Sequence, residues 1–165
     1  MHGVHGALLE SFRHNAWATR HLLAFCRDLP PGQLATGAPG TYGSILATFN
    51  HIIASDASYL RRLAGDGPDW ADSSDLDELA ARVEELAGRW EGYLGRPDDG
   101  ERVLVVDNGA NEVRAGVFIA QALHHGNAHR EQICAGLTGL GIEPPDVQPW
   151  EYAWETARIW ERTAS

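Results

Sequence analysis

Residues 118–136 read FIAQALHHGNAHREQICAG, and this stretch indicates both the fold class and the chemistry to expect. Its apolar residues recur at helical spacing and predict an amphipathic helix over about residues 115–137. His125 and His129 are four residues apart, so one helical turn places them on the same face with Cβ atoms about 5–6 Å apart. Two imidazoles in this arrangement can bind one metal ion, and a third ligand must come from another element.

The best candidate for that third ligand is His51, in a predicted helix over about residues 44–64. Helical projection places His51 beside the apolar stripe of this helix, on a flank of small and polar residues. His125 and His129 project together about 80° to one side of their own core stripe, whereas His124 projects to the opposite side and is expected to be exposed. The two helices therefore offer three histidines to a shared cleft. The competing interpretation is three unrelated histidines on helix surfaces.

Two further long helices are predicted from apolar residues at helical spacing. One covers about residues 4–29 and the other about residues 74–95, where Ser74 followed by Asp77 is a capping-box signal. Four long helices predict an all-α fold in a single domain over residues 1–165. A chain of this length can bury a core without disulfide bonds.

Two short elements are expected between and after these helices. The pattern becomes β-branched between residues 102 and 113, around the turn signal Asp107-Asn108-Gly109, which predicts a short hairpin or an extended loop between helices 3 and 4. Pro149 is well placed as the first residue of a small C-terminal helix that is rich in tryptophan. The tryptophans would cover the end of the fold or meet a second subunit, and the sequence leaves both open.

Charge and composition exclude several classes of partner. The formal net charge of −10 and the lack of an arginine cluster argue against nucleic acid, because neutralising phosphates requires a basic face. No uninterrupted apolar run approaches the length of a membrane span, so no membrane association is expected. Cys26 and Cys134 are too few for a secreted disulfide framework and suit a reducing compartment. We therefore expect a cytoplasmic protein that acts on a small molecule.

One arginine is expected inside the fold. Arg130 projects near the core stripe of its helix, and Asp56 falls among the apolar positions of the helix that carries His51. Because a buried charge normally needs a partner, we expect Arg130 to pair with Asp56 or with another acid such as Glu10. The alternative is that Arg130 extends its charged end to water.

The order of these motifs resembles one known family. A histidine lies near the start of the second long helix. The sequence HGNAHREQI at residues 125–133 contains HxxxH, followed by Arg and then Gln-Ile. After this helix, GIEPP at residues 141–145 has the pattern Gly-x-x-Pro-Pro. Together they resemble the DinB (DNA-damage-inducible) family over nearly the whole chain. The family name refers to induction by DNA damage and does not imply DNA binding.

The resemblance implies an antiparallel four-helix bundle with a divalent metal site at His51, His125 and His129. In this family the metal is often nickel or zinc, and the proteins are often homodimers. Characterised relatives include thiol-dependent S-transferases and isomerases that use bacillithiol, mycothiol or glutathione as a low-molecular-weight thiol co-substrate. The expected function is therefore a metal-dependent S-transferase or isomerase.

The chemistry of three imidazoles agrees with that expectation but leaves alternatives. Three neutral ligands leave a coordination position open, and a metal-bound thiol or water loses its proton near neutral pH. There are two alternatives. One is a metal-dependent hydrolase that uses metal-bound water, and the other is a non-catalytic bundle that binds a metal or small ligand. Gly126 stands where a HExxH metalloprotease has glutamate, so that reaction is excluded. The sequence assigns no general base or other catalytic residue.

Overall fold

The computed structural model describes residues 2–96 and 100–162, of which residues 2–5 are described by their backbone alone. Residues 1, 97–99 and 163–165, which the predicted domain includes, lie outside the described residues. The chain is mostly helical with a small two-stranded sheet, which confirms the predicted helical class. In chain order the elements are α1 (His2–Cys26), α2 (Pro31–Leu34), α3 (Ile45–Ala64), α4 (Leu76–Leu94), β1 (Val103–Val106), β2 (Asn111–Arg114), α5 (Ala115–Gly139) and α6 (Pro149–Glu155).

The four long helices enclose one main hydrophobic core. Helix α1 packs against α4 and α5, and α3 packs against the same two helices, so each long helix contacts two others. The largest side chains that are fully buried in this core include Trp90, Phe49, Leu22, Leu60 and Ile133. Because α3 and α5 are neighbours, side chains on their facing flanks can meet beside the core.

Helix α3 has sharp boundaries that fix where His51 lies. The Ser44 hydroxyl oxygen accepts a hydrogen bond from the N–H of Ala47 at 3.1 Å, which satisfies one of the free donors of the first turn. Gly65 ends the helix with φ of 90°, a left-handed conformation that glycine adopts without steric cost. Phe49, Ile52 and Ile53 are buried in the core, whereas His51 is half-buried on the flank that projection predicted.

The predicted capping box at the start of α4 is wrong. Ser74 precedes the helix, and Asp75 is its N-cap, with a side chain that accepts hydrogen bonds from the N–H groups of Asp77 and Glu78. A carboxylate satisfies two free donors at once and carries the negative charge that a helix N-terminus favours. The helix ends before Gly95.

The segment between α4 and α5 forms the hairpin that was one of the two predicted alternatives. Strands β1 and β2 pair antiparallel with Val103 opposite Arg114 and Val106 opposite Asn111. The turn contains Asn108 with φ of 55°, a left-handed conformation in which asparagine is more common than most other residues. The hairpin leads directly into α5, because Arg114 is both the last residue of β2 and the N-cap of α5.

The C-terminal helix α6 begins at Pro149, as predicted, but it is short. Its one buried residue is Tyr152, which packs with Trp17 against the main fold. Trp150, Trp154 and Trp160 are instead exposed, so the first predicted role of the tryptophans, covering the end of the fold, is wrong for these three.

No helix in the described ranges is both long enough and apolar enough to cross a membrane.

Candidate metal centre

The three histidines predicted as ligands lie together between α3 and α5. One ring nitrogen from each of His51, His125 and His129 lies within 4.8 Å of the other two. The closest contact joins Nε2 of His125 to Nε2 of His51 at 3.0 Å, and the His125 and His129 rings have centroids 4.3 Å apart. His124 is exposed and lies outside this group, as its projection predicted.

The separation of the closest pair of these nitrogens fits a shared metal ion. Imidazole nitrogens bound to one ion at about 2.1 Å are about 3.0–3.4 Å apart when their angle at the ion is between about 90° and tetrahedral. The separation of 3.0 Å between His51 and His125 falls at the lower end of that range. Within the described residues, no cysteine or carboxylate joins the group. The donor set is therefore three imidazoles, which suit zinc, nickel, copper and iron.

The surroundings keep two of the three imidazoles neutral at pH 7. Burial, followed by charge repulsion from the neighbouring His129 and His51, lowers the pKa of His125 to about 4. Burial also lowers the pKa of His51, with a smaller contribution from His129. A neutral imidazole has the free lone pair that a metal ligand needs, so these two rings require no deprotonation before binding.

Gln132 fixes the orientation of His129. The Gln132 side-chain oxygen Oε1 accepts a hydrogen bond from the backbone N–H of Tyr42 at 2.9 Å, which identifies this atom as the amide oxygen. The same oxygen is 2.9 Å from Nδ1 of His129. An amide oxygen can only accept, so Nδ1 of a neutral His129 carries the proton and Nε2 keeps the lone pair. Gln132 thus selects the tautomer in which Nε2 can bind a metal.

Two tyrosines line the histidine cluster. The Tyr42 ring stacks on His51 with centroids 3.8 Å apart and planes at 10°, and its edge approaches His129. Tyr59 meets His125 edge-on at 5.8 Å. Tyr42 is 56% exposed, so it covers the cluster from the solvent side. Sequence reasoning missed Tyr42, which lies in the loop before α3, where no periodic pattern indicates which way a side chain points.

Arg130 lies in the core, as predicted, but within the described residues it forms no direct pair with Asp56 or Glu10, and the charge of Asp56 acts on it only from a distance. Its side chain is 2% exposed, so the alternative in which it extends to water is also wrong. Its Nη1 atom donates to Oδ1 of Asn15 at 2.7 Å and to the hydroxyl of Thr19 at 3.2 Å, both on α1. Asp56 instead accepts a hydrogen bond from Nε1 of Trp90 at 3.0 Å.

Glu10, the other acid proposed as a partner of Arg130, has its own contacts at the surface. It accepts a hydrogen bond from the hydroxyl of Tyr152 at 2.6 Å and pairs with Arg158 and Arg13. Arg130 is therefore a buried cation whose hydrogen-bond partners are neutral groups of α1.

A comparison with known protein families confirms the resemblance that the order of the sequence motifs indicated. A family model described as the DinB family matches residues 3–162, nearly the whole chain. No curated protein matches the chain.

Proposed function

The chain belongs to the DinB family, and we propose that His51, His125 and His129 bind a divalent metal ion in a thiol-dependent S-transferase or isomerase. The substrate in this proposal is a small electrophilic molecule, and the co-substrate is a low-molecular-weight thiol such as bacillithiol, mycothiol or glutathione. A bound divalent ion supplies a nucleophile near neutral pH, because it lowers the pKa of a thiol or a water molecule.

One observation carries this proposal: a nitrogen from each of three imidazoles lies within 4.8 Å of the other two, and no charged ligand completes the group in the described residues. Structural zinc sites are filled by four protein ligands, whereas catalytic sites keep a position for water or substrate. Three neutral ligands also leave the full positive charge of the ion available to an anionic thiolate. Nickel or zinc suits such a set, and the choice between them is open.

The surrounding residues have defined roles in the proposed reaction. Gln132 holds His129 in the tautomer that presents Nε2, through the contact of 2.9 Å between Nδ1 and Oε1. Tyr42 and Tyr59 contact the histidine rings and exclude water from two sides of the site. Because Tyr42 is the exposed member of this pair, we place the entrance for a substrate on its side of the site.

The chain's own thiols are poorly suited to act as the nucleophile. Burial raises the pKa of Cys26 to about 12 and that of Cys134 to about 11, so neither is a thiolate at neutral pH. This favours a thiol supplied from solution.

The finer architecture belongs to the same proposal. We propose an antiparallel four-helix bundle in one domain over residues 1–165, and the ring of contacts among α1, α4, α3 and α5 supports it. The exposed Trp150 and Trp154 on α6 are suited to a homodimer contact. Two free cysteines suit the reducing cytoplasm.

Thermal stabilisation tests the thiol-dependent function. Protein purified without a histidine tag is melted with each of the three thiols, with the metal bound and after chelation. A thiol that binds the folded state raises the melting temperature, and the proposal expects this rise only with metal present. An equal rise after chelation, or no rise with any of the three, contradicts the thiol-dependent proposal.

The second candidate is a metal-dependent hydrolase, which a donor set of three imidazoles also favours because three ligands leave a coordination position for water. It is distinguished by metal-dependent cleavage of an activated ester in the absence of any thiol. A metal-binding protein that shows neither activity supports the third reading, a non-catalytic metal- or ligand-binding bundle.

A further inference from the structure

A cavity lies on the other side of α5 from the histidine cluster. It has a volume of about 620 Å³ and is bounded by α1, α5 and α6. This volume is within the range of about 300–1,000 Å³ that is typical of small-molecule pockets. Its α5 residues Leu123, Asn127 and Arg130 project about 100–160° away from His125 and His129. None of the three clustered histidines lines it.

The cavity wall is mainly apolar, with one buried charge. Ala7, Leu123, Pro149 and Ala153 supply apolar surface, and Arg130 lies among the lining residues. His14 also lines the cavity, and burial lowers its pKa, so this ring adds no positive charge at pH 7. A cavity of this composition suits a ligand with an apolar body and one polar group.

Part of the Arg130 guanidinium has no hydrogen-bond partner among the described residues. All its hydrogen bonds in the described residues leave from Nη1, to Asn15 and Thr19. The described chain contains one fully buried side-chain nitrogen or oxygen without a partner, which is Nε of Arg82. Nε and Nη2 of Arg130 are therefore not fully sealed in the protein, although the residue as a whole is only 2% exposed, and the cavity that Arg130 lines is the space they border.

Arg130 also forms no ion pair with an acid in the part of the chain that the structure describes. Its hydrogen-bond partners are neutral. The acids whose charges act on it are Asp56, which is itself buried and bonded to Trp90, and Glu131, the next residue along α5. Burial raises the pKa of Asp56 to about 7, so this carboxyl is only partly ionised at neutral pH. Glu10 at the cavity rim is already paired with Arg158 and Arg13. A buried cation without a full counter-charge is costly, and an anionic ligand would remove that cost.

We propose that this cavity binds an amphipathic monocarboxylate, with the carboxylate on Nε and Nη2 of Arg130 and the apolar chain against Leu123, Pro149 and Ala153. The Nε and Nη2 edge of a guanidinium presents two parallel N–H groups, which match the two oxygens of a carboxylate. This second site does not depend on the histidine cluster or on the function proposed for it.

Calorimetric titration of the full chain with octanoate and with uncharged 1-octanol tests this site. The proposal expects octanoate to bind at least about tenfold more tightly than 1-octanol, because hydrogen bonds to a charged group are the stronger ones. Chelated protein and His51→Ala should bind octanoate as the untreated protein does. Equal affinities for the two compounds, no binding of octanoate, or loss of octanoate binding on chelation overturns the proposal.

Two substitutions, together with one control substitution, localise the binding without removing a core residue. Asn127→Asp places a negative charge beside Arg130 and should weaken octanoate about tenfold or more while leaving 1-octanol unchanged. Gln121→Glu makes the same charge change on another face of α5 and should alter neither affinity. Ala153→Trp fills the cavity from α6 and should weaken both ligands. Unchanged octanoate binding in Asn127→Asp or in Ala153→Trp overturns the assignment.

Discussion

Replacing Gly126 by alanine should destabilise the protein, although glycine to alanine in the middle of a helix is normally stabilising. Gly126 lies in α5, where α5 faces Asn15 of α1. A Cβ atom at this position would lie 2.5 Å from Oδ1 of Asn15 and 3.0 Å from Nη1 of Arg130. Both side chains are buried, so neither can move aside into solvent. The added methyl group therefore breaks the hydrogen bond between Asn15 and Arg130.

The magnitude follows from two opposing contributions. Alanine improves on glycine in a helix interior by about 1 kcal/mol. Loss of a hydrogen bond to a buried charged group costs about 1.5–3 kcal/mol. The net effect is a fall of about 0.5–2 kcal/mol in the free energy of unfolding, which corresponds to about 1–8 °C in melting temperature for a chain of this size.

Gly88→Ala is the matched control for this substitution. Gly88 is exposed in the middle of α4, and a Cβ atom there meets no described atom within 4 Å. This variant should gain the helix contribution alone and melt about 2–4 °C higher than the wild-type protein. Scanning calorimetry and urea unfolding measure both variants. If Gly126→Ala is as stable as Gly88→Ala, the added methyl group does not break the hydrogen bond between Asn15 and Arg130, and the prediction is wrong.

Three further predictions concern the histidine cluster, the buried acid and the thiols. Gln132→Ala should weaken metal binding about 10–100-fold in a competition titration, because His129 loses the acceptor that fixes its tautomer. Burial raises the pKa of Asp56 from 3.8 to about 7. Between these two pH values the folded state therefore keeps a proton that the unfolded state has lost. The free energy of unfolding should then fall as pH rises from about 4 to about 7. Asp56→Asn should flatten this dependence in urea unfolding measured across that range. Cys26 and Cys134 should react with iodoacetamide at pH 8 much more slowly in folded than in urea-unfolded protein, because burial raises both thiol pKa values.

Each of these predictions has a clear contrary result. Wild-type metal affinity in Gln132→Ala would mean that His129 is oriented by other contacts. A pH dependence that persists unchanged in Asp56→Asn would assign it to another group. Rapid alkylation of either cysteine in the folded protein would show that an internal thiolate is available, and the argument for an external thiol would then lose its support.

The parts of the site that were predictable are those on regular helices. The fixed rotation per residue of a helix places His51 on one flank of α3 and places His125 and His129 together on one flank of α5. The same rotation places His124 on the opposite side of α5. The flanks of two adjacent helices meet, so the cluster follows from periodicity together with the resemblance to a known family.

The parts that were not predictable depend on contacts between distant segments. Tyr42 reaches His51 from an irregular loop, whose path no sequence period describes. Helical projection predicted the burial of Arg130. Its partner Asn15 lies 115 residues away on α1, and the expectation of an opposite charge did not point to this neutral side chain. Neutral side chains that accept hydrogen bonds from a buried guanidinium have no charge pattern to reveal them.

The central claim is that three specific histidines bind one metal ion. Metal analysis of protein purified without a histidine tag tests this claim in the wild-type protein, in His51→Ala and in His129→Ala. The control is His124→Ala, which removes an exposed histidine outside the cluster. We predict about one divalent ion per chain in the wild-type protein and in His124→Ala, and loss of that ion in the other two variants. Unchanged metal content in His51→Ala or in His129→Ala would contradict the assignment of the site.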